Sequence, residues 1–286
     1  MGQNARPPWC SNEKPRPQQS LLNTSRAAWK RVSTWTMSHS ANAFFAFDQV
    51  QQLTRSGVPG AIVECGVFRG GVTAMMMLAH LASGSPPRQF WLYDTFDGMT
   101  RPDPKRDGDL VTSIYDNITR GVLSHAAGGV RSRRWSFGGR RDEVARNLAS
   151  TGYPCERIHY VEGKVEETLR DPNRALPSRI AMLRLDTDWY ESTKAELEVL
   201  VPRLSPRGIV VLDDYFHFKG SGAAADEFWG SNLTRIGRTL AKRRDGNVRR
   251  DVNFHLVRSN IPFGIGSLTD PQYWVQLQAA EVLGRN

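Results

Sequence analysis

Short apolar segments alternate with amphipathic ones from residue 61 to about residue 260, and this alternation constrains the fold most strongly. The segments that predict strands are AIVECGV, FWLYDTF, RIHYVEG, IAMLRLDTD, GIVVLDDYF and NFHLV; those that predict helices are VTAMMMLAHLA, RDEVARNLASTGY, STKAELEVLVPRL and GAAADEFW. Apolar strands that alternate with helices indicate an α/β protein with a mostly parallel sheet, covered by helices on both faces.

The domain organisation follows from length and composition. Residues 1–24 are basic and rich in proline, which predicts a disordered arm. We expect residues 25–286 to form a single domain. Within it, residues 25–57 look helical and would cap the ligand-binding edge of the sheet, and residues 58–286 would form the core.

Composition also bears on the compartment and the partners. The chain has three scattered cysteines, which favour a reducing compartment, and we expect a cytoplasmic protein. No apolar run approaches the roughly 20 residues of a membrane span, so we expect no membrane partner. The net charge of +9 suggests an anionic partner, but the basic clusters are not interleaved with aromatic residues. A solvated basic surface is therefore favoured over nucleic-acid binding.

Four carboxylates follow two of the predicted strands. IAMLRL is followed by Asp186 and Asp188, and GIVVL is followed by Asp213 and Asp214. The carboxyl ends of strands are where ligands bind in open α/β sheets. Four acids at neighbouring strand ends would repel one another unless a positive charge lay between them. A hard divalent cation with oxygen ligands is the simplest explanation.

The turn after the first predicted strand reads ECGVFRGG, which differs from the dinucleotide-binding pattern GxGxxG. Phe68 occupies the position where a glycine would let the backbone approach a pyrophosphate, which disfavours a nicotinamide oxidoreductase. A nucleoside without phosphates, such as S-adenosylmethionine, has no such need. Glu64 could bind its ammonium group, although a plain strand-to-helix turn is the alternative.

Two further segments suit a nucleoside. Asp94 ends the second strand, where an acid can accept hydrogen bonds from ribose hydroxyls, while Asp97 has the chemistry of a turn. After the third strand, Gly163, Lys164 and Val165 could flank an adenine ring. The alternative for this last segment is a solvated acidic helix start.

Taken together, these segments resemble the TylF/MycF family of macrocin-type O-methyltransferases over most of residues 36–228. The matching segments are Thr36-Met37, VPGAIVECGVFRGGV, YDTFDGM, GYPCERIHYVEGKVEETL, RLDTDWYESTKAELEVL and GIVVLDDYFHFKGSGAAADEF. The resemblance implies a Rossmann-like class I methyltransferase fold with a seven-stranded sheet, S-adenosylmethionine as cofactor, and a magnesium site. It also implies a hydroxylated small-molecule acceptor, often a sugar on a natural product, and a homo-oligomer.

The resemblance implies a role for individual residues. Metal ligands would be Asp186, Asp213 and Asp214, with Asp188 as general base. Cofactor-binding residues would be Glu64, Gly66, Asp94, Gly163 and Val165, with Thr36 and Met37 closing over the cofactor. The chain departs from the family pattern at Lys164–Val165, in the basic loop RSRRWSFGG and after about residue 255, which leaves the acceptor open.

Several alternatives remain open at this point. Asp188 could instead be the N-cap of the following helix, and His217 is a rival base or an ordinary loop histidine. A nucleic-acid methyltransferase would carry an Asn/Asp-Pro-Pro-Tyr motif after the fourth strand, where this chain has DTDWY. A non-catalytic binding protein with the same fold is a further alternative.

Overall fold

The structure, a computed structural model, describes residues 24–120, 138–215 and 217–229, and the backbone of 275–278. The strands are β1 (Ala61–Cys65), β2 (Phe90–Asp94), β3 (Ile158–Glu162), β4 (Ile180–Leu185), β5 (Leu204–Leu212) and β6 (Val275–Gln278). They form one sheet in the order β3-β2-β1-β4-β5-β6. The first five are parallel, and β6 is antiparallel to β5.

Eight α-helices accompany the sheet in the described residues. They are α1 (Ser25–Val32), α2 (Ser40–Arg55), α3 (Gly71–Ala82), α4 (Asp109–Thr119), α5 (Arg141–Ala149), α6 (Val165–Thr168), α7 (Tyr190–Leu200) and α8 (Lys219–Trp229). None of these helices has the length and apolar character needed to cross a bilayer.

Strand–helix alternation is confirmed, and two details differ from expectation. The described residues contain six strands rather than the expected seven, and the predicted strand NFHLV lies outside them, as do residues 1–23 and 131–137. Helix α4 follows the polar loop RPDPKRDGD and is not predicted from the sequence. Its apolar residues do not mark a buried face, because Thr112 is its one buried residue and Leu110 is 74% exposed.

Alternate residues of β1 enter two separate cores, which explains why helices cover both faces. Ile62 packs in the cluster that contains α2 and α3, whereas Val63 and Cys65 pack in the cluster that contains α7. Successive side chains of a strand point to opposite faces, so a strand buried on both sides needs apolar residues at every position. The exceptions to this rule, Glu64 and Arg184, define the site described below.

Helices α1 and α2 share one core with the sheet. Ala28 and Phe47 are buried in the same cluster as Ile62 and Met76. The methionine run of α3 is therefore core, as the sequence suggested. Because the segment between α1 and α2 connects two packed helices, its position over the carboxyl ends of the strands is fixed.

Gly66 lets the ends of β1 and β4 approach each other. Its φ is +80°, and a Cβ at this position would lie 1.9 Å from the backbone oxygen of Asp186. The amide of Asp186 donates to the carbonyl of Cys65 at 2.9 Å, which closes the two strand ends together. The first carboxylate after β4 is thereby positioned beside the turn that follows β1.

We predict that Gly66→Ala lowers the free energy of unfolding by about 2–5 kcal/mol, because it adds left-handed strain and a backbone clash. Gly57→Ala is the matched control: its φ is +62°, and nothing lies within 4 Å of the added Cβ. It should cost only the strain, about 1–2 kcal/mol. Urea denaturation measures both variants, and equal losses would contradict the close-approach argument.

Candidate active site

Carboxylates from two neighbouring strand ends lie together at one edge of the sheet. Strand β4 ends at Leu185 and β5 at Leu212, and the amide of Asp213 donates to the carbonyl of Leu185 at 3.0 Å. One ligand atom from each of Asp186, Asp188 and Asp214 lies within 4.8 Å of the others. A compact group of carboxylate oxygens at the carboxyl edge of a parallel sheet suits a hard divalent cation.

A buried guanidinium lies beside this group, and the sequence analysis did not single it out. Arg184 on β4 is 1% exposed, and its Cα pairs across the sheet with that of Glu64. Its Nη1 lies 2.7 Å from Glu64 Oε1 and 2.8 Å from Asp186 Oδ2. Its Nη2 lies 2.8 Å from Asp213 Oδ2 and 3.4 Å from the hydroxyl of Ser38.

This arrangement corrects the electrostatic argument drawn from the sequence. The four acids do have a positive charge among them, and Arg184 supplies it from inside the protein. Burial lowers the pKa of Arg184, but the charges of Asp186, Asp213 and Glu64 outweigh it and raise that pKa. The signal was present in the sequence, since a charged residue within the apolar run IAMLRL must be paired when the strand is buried.

Arg184 alone does not neutralise the acids. Burial, and then the charge of Asp186, raises the pKa of Asp188 and of Asp213 well above the usual range. Burial and the charge of Asp188 do the same for Asp214. Burial is the largest cause of all three shifts, and a cation bound at this group would lower the three pKa values.

Glu64 is buried below the surface of the site. It is 1% exposed and accepts hydrogen bonds from Thr73 and Arg184. Burial raises its pKa to about 7, although Arg184 opposes the shift. Its carboxyl group therefore reaches the rest of the site through Arg184 and Thr73.

Asp188 occupies a strained turn between β4 and α7. Its φ is +68°, and the amide of Trp189 donates to the carbonyl of Thr187 at 2.8 Å across it. Its own amide donates to Asp214 Oδ2 at 3.1 Å. Left-handed backbone in a non-glycine residue costs about 1–3 kcal/mol and is concentrated at functional sites.

The alternative in which Asp188 caps α7 is wrong. The N-cap residue is Trp189, which makes no side-chain capping bond. The first helical amide, that of Tyr190, instead donates to Asp107 Oδ1 at 2.8 Å. The hydroxyl of Thr187 donates to Glu196 Oε1 at 2.9 Å and not to one of the four aspartates.

Asp107 docks the loop 100–108 beside the acids. Its Oδ2 accepts from the amide of Asp103 at 2.8 Å, and the indole of Trp189 donates to the carbonyl of Thr100 at 2.9 Å. A Cβ on Gly220 would lie 1.7 Å from Asp107 Oδ1, so α8 also closes on this carboxylate. Asp107 precedes Tyr190, the first residue of α7, by 83 residues. No local sequence pattern therefore predicts this contact.

Asp94 braces the turn after β1. Its Oδ2 accepts from the amides of Val67 at 2.7 Å and Phe68 at 3.0 Å, and its Oδ1 accepts from Phe96 at 2.8 Å. Burial raises its pKa, against the effect of these bonds. Asp94 therefore lies where a nucleoside was expected, and it also has a structural role that the sequence did not indicate.

The remaining residues predicted to bind the cofactor differ in position and in exposure. Thr36 lies against the glycine turn, since a Cβ on Gly71 would meet its Cβ at 2.6 Å, and Met37 is 55% exposed. The backbone of Gly163 bonds to Asp94, the amide donating to the carbonyl at 3.0 Å. Val165 is 6% exposed and packs in the second core cluster, so its side chain is core.

His217 lies at the edge of the acids. Its amide donates to the carbonyl of Asp214 at 2.9 Å, and its ring meets that of Phe218 edge-on at 4.4 Å. Burial lowers the pKa of its imidazole, although the charge of Asp186 opposes this. The ring is therefore neutral near pH 7, which leaves it a possible proton acceptor.

The sheet has five parallel strands and one antiparallel strand, with a glycine turn after β1 and carboxylates at the ends of β4 and β5. This arrangement is that of the class I methyltransferase fold. The solved structure of the O-methyltransferase NovP has this fold: it is 23% identical, with a TM-score of 0.58 over 91% of this chain and 88% of its own. The family model "Macrocin-O-methyltransferase (TylF)" matches residues 34–240. The chain therefore belongs to the TylF family.

Two curated relatives show how far the similarity extends. The 8-demethyl-8-(2,3-dimethoxy-alpha-L-rhamnosyl)-tetracenomycin-C 4'-O-methyltransferase of Streptomyces olivaceus is 35% identical over 166 residues, 58% of this chain. The demethyldecarbamoylnovobiocin O-methyltransferase of Streptomyces niveus is 31% identical over 179 residues, 63% of this chain. The matches span 57% and 62% of the lengths of these relatives.

The strain at Asp188 makes a testable prediction. Asp188→Gly removes the carboxylate and relieves the left-handed strain, whereas Asp188→Ala removes the carboxylate and keeps the strain. We expect the glycine variant to be more stable than the alanine variant by about 1 kcal/mol, and both to lack activity. Urea denaturation measures the difference. An alanine variant as stable as the glycine variant would show that the turn relaxes without cost.

Proposed function

We propose that this chain is an S-adenosylmethionine-dependent O-methyltransferase whose acceptor is a hydroxyl of a small-molecule natural product, and whose site holds a divalent cation. Membership of the TylF family supports the reaction class. The observation that carries the proposal is the group formed by Asp186, Asp188 and Asp214 at the carboxyl edge of the sheet. Burial raises the pKa of Asp188 and of Asp214, and a bound cation would favour the ionised form of both carboxyls.

We assign the cation to Asp186, Asp213 and Asp214, which offer the hard oxygen donors that Mg²⁺ prefers. When bound, the cation lowers the pKa of a hydroxyl in contact with it, and S-adenosylmethionine supplies the methyl group. Asp186 and Asp214 belong to the compact group of carboxylate oxygens, whereas Asp213, the third ligand expected from the sequence, lies beside that group and not within it. Asp213 and Asp214 follow β5 directly, and Asp186 follows β4, so the three stand on the rigid end of the sheet.

We assign the role of general base to Asp188. It would accept the proton of the acceptor hydroxyl as the oxygen attacks, and proton transfer to a positioned base contributes about 10²–10⁴-fold to the rate. Burial raises its pKa, and a cation bound beside it would favour the ionised form that can accept this proton. The strained turn fixes its direction, which is why we favour it over the neutral imidazole of His217.

We place the methyl donor along the turn after β1. Gly66, Asp94 and Thr36 surround this turn, and Gly163 is bonded to the backbone of Asp94. Met37, half-exposed beside Thr36, would cover the donor from the N-terminal side. Glu64 would act indirectly, through Arg184, and Val165 through packing.

We propose a sugar or another vicinal diol as the acceptor. The name of one relative specifies a dimethoxy-rhamnosyl group on tetracenomycin C, and the name of the other specifies demethyldecarbamoylnovobiocin. A cation held by these aspartates would favour an acceptor with adjacent hydroxyl oxygens, and this would position the attacking oxygen. The docked loop 100–108 would form one wall of the acceptor pocket.

Ligand binding tests this function before any acceptor is known. We predict that S-adenosylhomocysteine and Mg²⁺ each raise the melting temperature, since a ligand at 100 times its dissociation constant adds about 2.7 kcal/mol. Asp186→Asn should abolish the Mg²⁺ effect and leave that of S-adenosylhomocysteine. Glu198→Gln, on the exposed face of α7, is the control and should respond as wild type.

Methyl transfer to a panel of glycosides then tests the acceptor class. We expect Mg²⁺-dependent transfer to glycosides with adjacent hydroxyls, and little transfer to matched monohydroxy compounds. The measurement is the appearance of S-adenosylhomocysteine and of a methyl ether. Absence of both Mg²⁺ and S-adenosylhomocysteine binding in the wild-type protein would refute the proposed function.

A further inference from the structure

Arg184 joins three strand ends through two nitrogen atoms. Nη1 bridges Glu64 of β1 and Asp186 after β4, at 2.7 and 2.8 Å. Nη2 reaches Asp213 after β5 at 2.8 Å, and the hydroxyl of Ser38 from the segment between α1 and α2 at 3.4 Å. The planar guanidinium fixes the directions of these bonds relative to one another, which a lysine ammonium cannot do.

Each of the two aspartates is held by one oxygen. Arg184 contacts Oδ2 of Asp186 and Oδ2 of Asp213. The Oδ1 of Asp213 accepts one long bond, 3.3 Å, from the amide of Asn42, which leaves it a second lone pair. The guanidinium therefore holds one oxygen of each carboxylate, and the other oxygen of each lies outside its contacts.

Stability alone does not account for this residue. An ion network inside a sheet is often no more stable than apolar residues of the same volume. The Nε of Arg184 is buried and has no hydrogen-bond partner among the described residues, which adds an energetic cost. Met182, two residues before Arg184 on the same face of β4, is buried and apolar, so this face of the strand is not polar throughout.

We propose that Arg184 is a positioning residue: it binds one oxygen of Asp186 and one of Asp213 so that their other oxygens face a common cation. This inference rests on the proposed metal-dependent function. Groups that hydrogen-bond to metal-ligating carboxylates orient them, and their loss weakens metal binding by about 10–100-fold. Through Nη1 the same residue ties Glu64, beneath the methyl-donor turn, to the cation ligands.

Arg184→Lys tests the proposal, because it keeps the positive charge and removes the planar guanidinium with its two Nη donors. We expect the Mg²⁺ dissociation constant, measured by titration of the melting temperature, to rise about 10–100-fold. The Mg²⁺ concentration that half-saturates kcat should rise with it, and excess Mg²⁺ should restore much of the activity. Arg179→Lys, an exposed arginine just before β4, is the matched control and should leave both values unchanged.

A purely structural role would give a different result. Arg184→Lys would then lower the melting temperature without changing the Mg²⁺ dissociation constant, and this outcome overturns the proposal. If this variant does not fold, the double variant Arg184→Gln/Glu64→Gln tests the proposal in its place. It removes one positive and one negative charge from residues that pair across the sheet. It should fold and bind Mg²⁺ at least about tenfold more weakly. If neither variant folds, Arg184 belongs to the fold and the proposal is overturned.

The two proposals can fail separately. A wild-type protein that binds neither Mg²⁺ nor S-adenosylhomocysteine refutes the proposed function. A wild-type protein that binds both, together with an Arg184→Lys variant of unchanged Mg²⁺ affinity, refutes only the positioning role.

Discussion

The buried charge of Arg184 is the constraint on which the site depends. A guanidinium with 1% exposure needs carboxylates around it, and three strand ends supply them. Glu64 faces it across the sheet, while Asp186 and Asp213 follow the next two strands. Gly66 permits the close approach of β1 and β4 that this network requires. Removal of one partner from such a network costs about 3–5 kcal/mol, so fold and site are energetically linked.

Arg184 and the cation that we propose would share the neutralisation of the four acids at this edge. Arg184 is a permanent counter-ion that reaches Asp186 and Asp213 from within the sheet. Asp188 and Asp214 lie outside its direct contacts, and burial together with the neighbouring acids raises the pKa of both. A cation bound at this edge would complete the neutralisation. The same edge can then bind a ligand reversibly without losing its internal order.

Elements that depend on local pattern were predictable from the sequence. The apolar runs gave the five parallel strands, and the acids after IAMLRL and GIVVL gave the location of the site. Arg184 was missed because its pairing depends on the cross-strand register with Glu64, which no single segment encodes. The left-handed backbone of Asp188 could not be predicted, because aspartate has no local sequence signal that requires a positive φ. The strand expected at NFHLV lies outside the residues that the structure describes.

Asp107 explains how Asp188 is free to take part in chemistry. A carboxylate directly before a helix would ordinarily cap it, and capping would direct its oxygens to the helix amides. Here Asp107 bonds to the first amide of α7 from a distant loop, at 2.8 Å. The turn can therefore hold Asp188 beside Asp186 and Asp214 instead. The docked loop thus has two effects: it stabilises the start of α7, and it releases the side chain that we assign as the base.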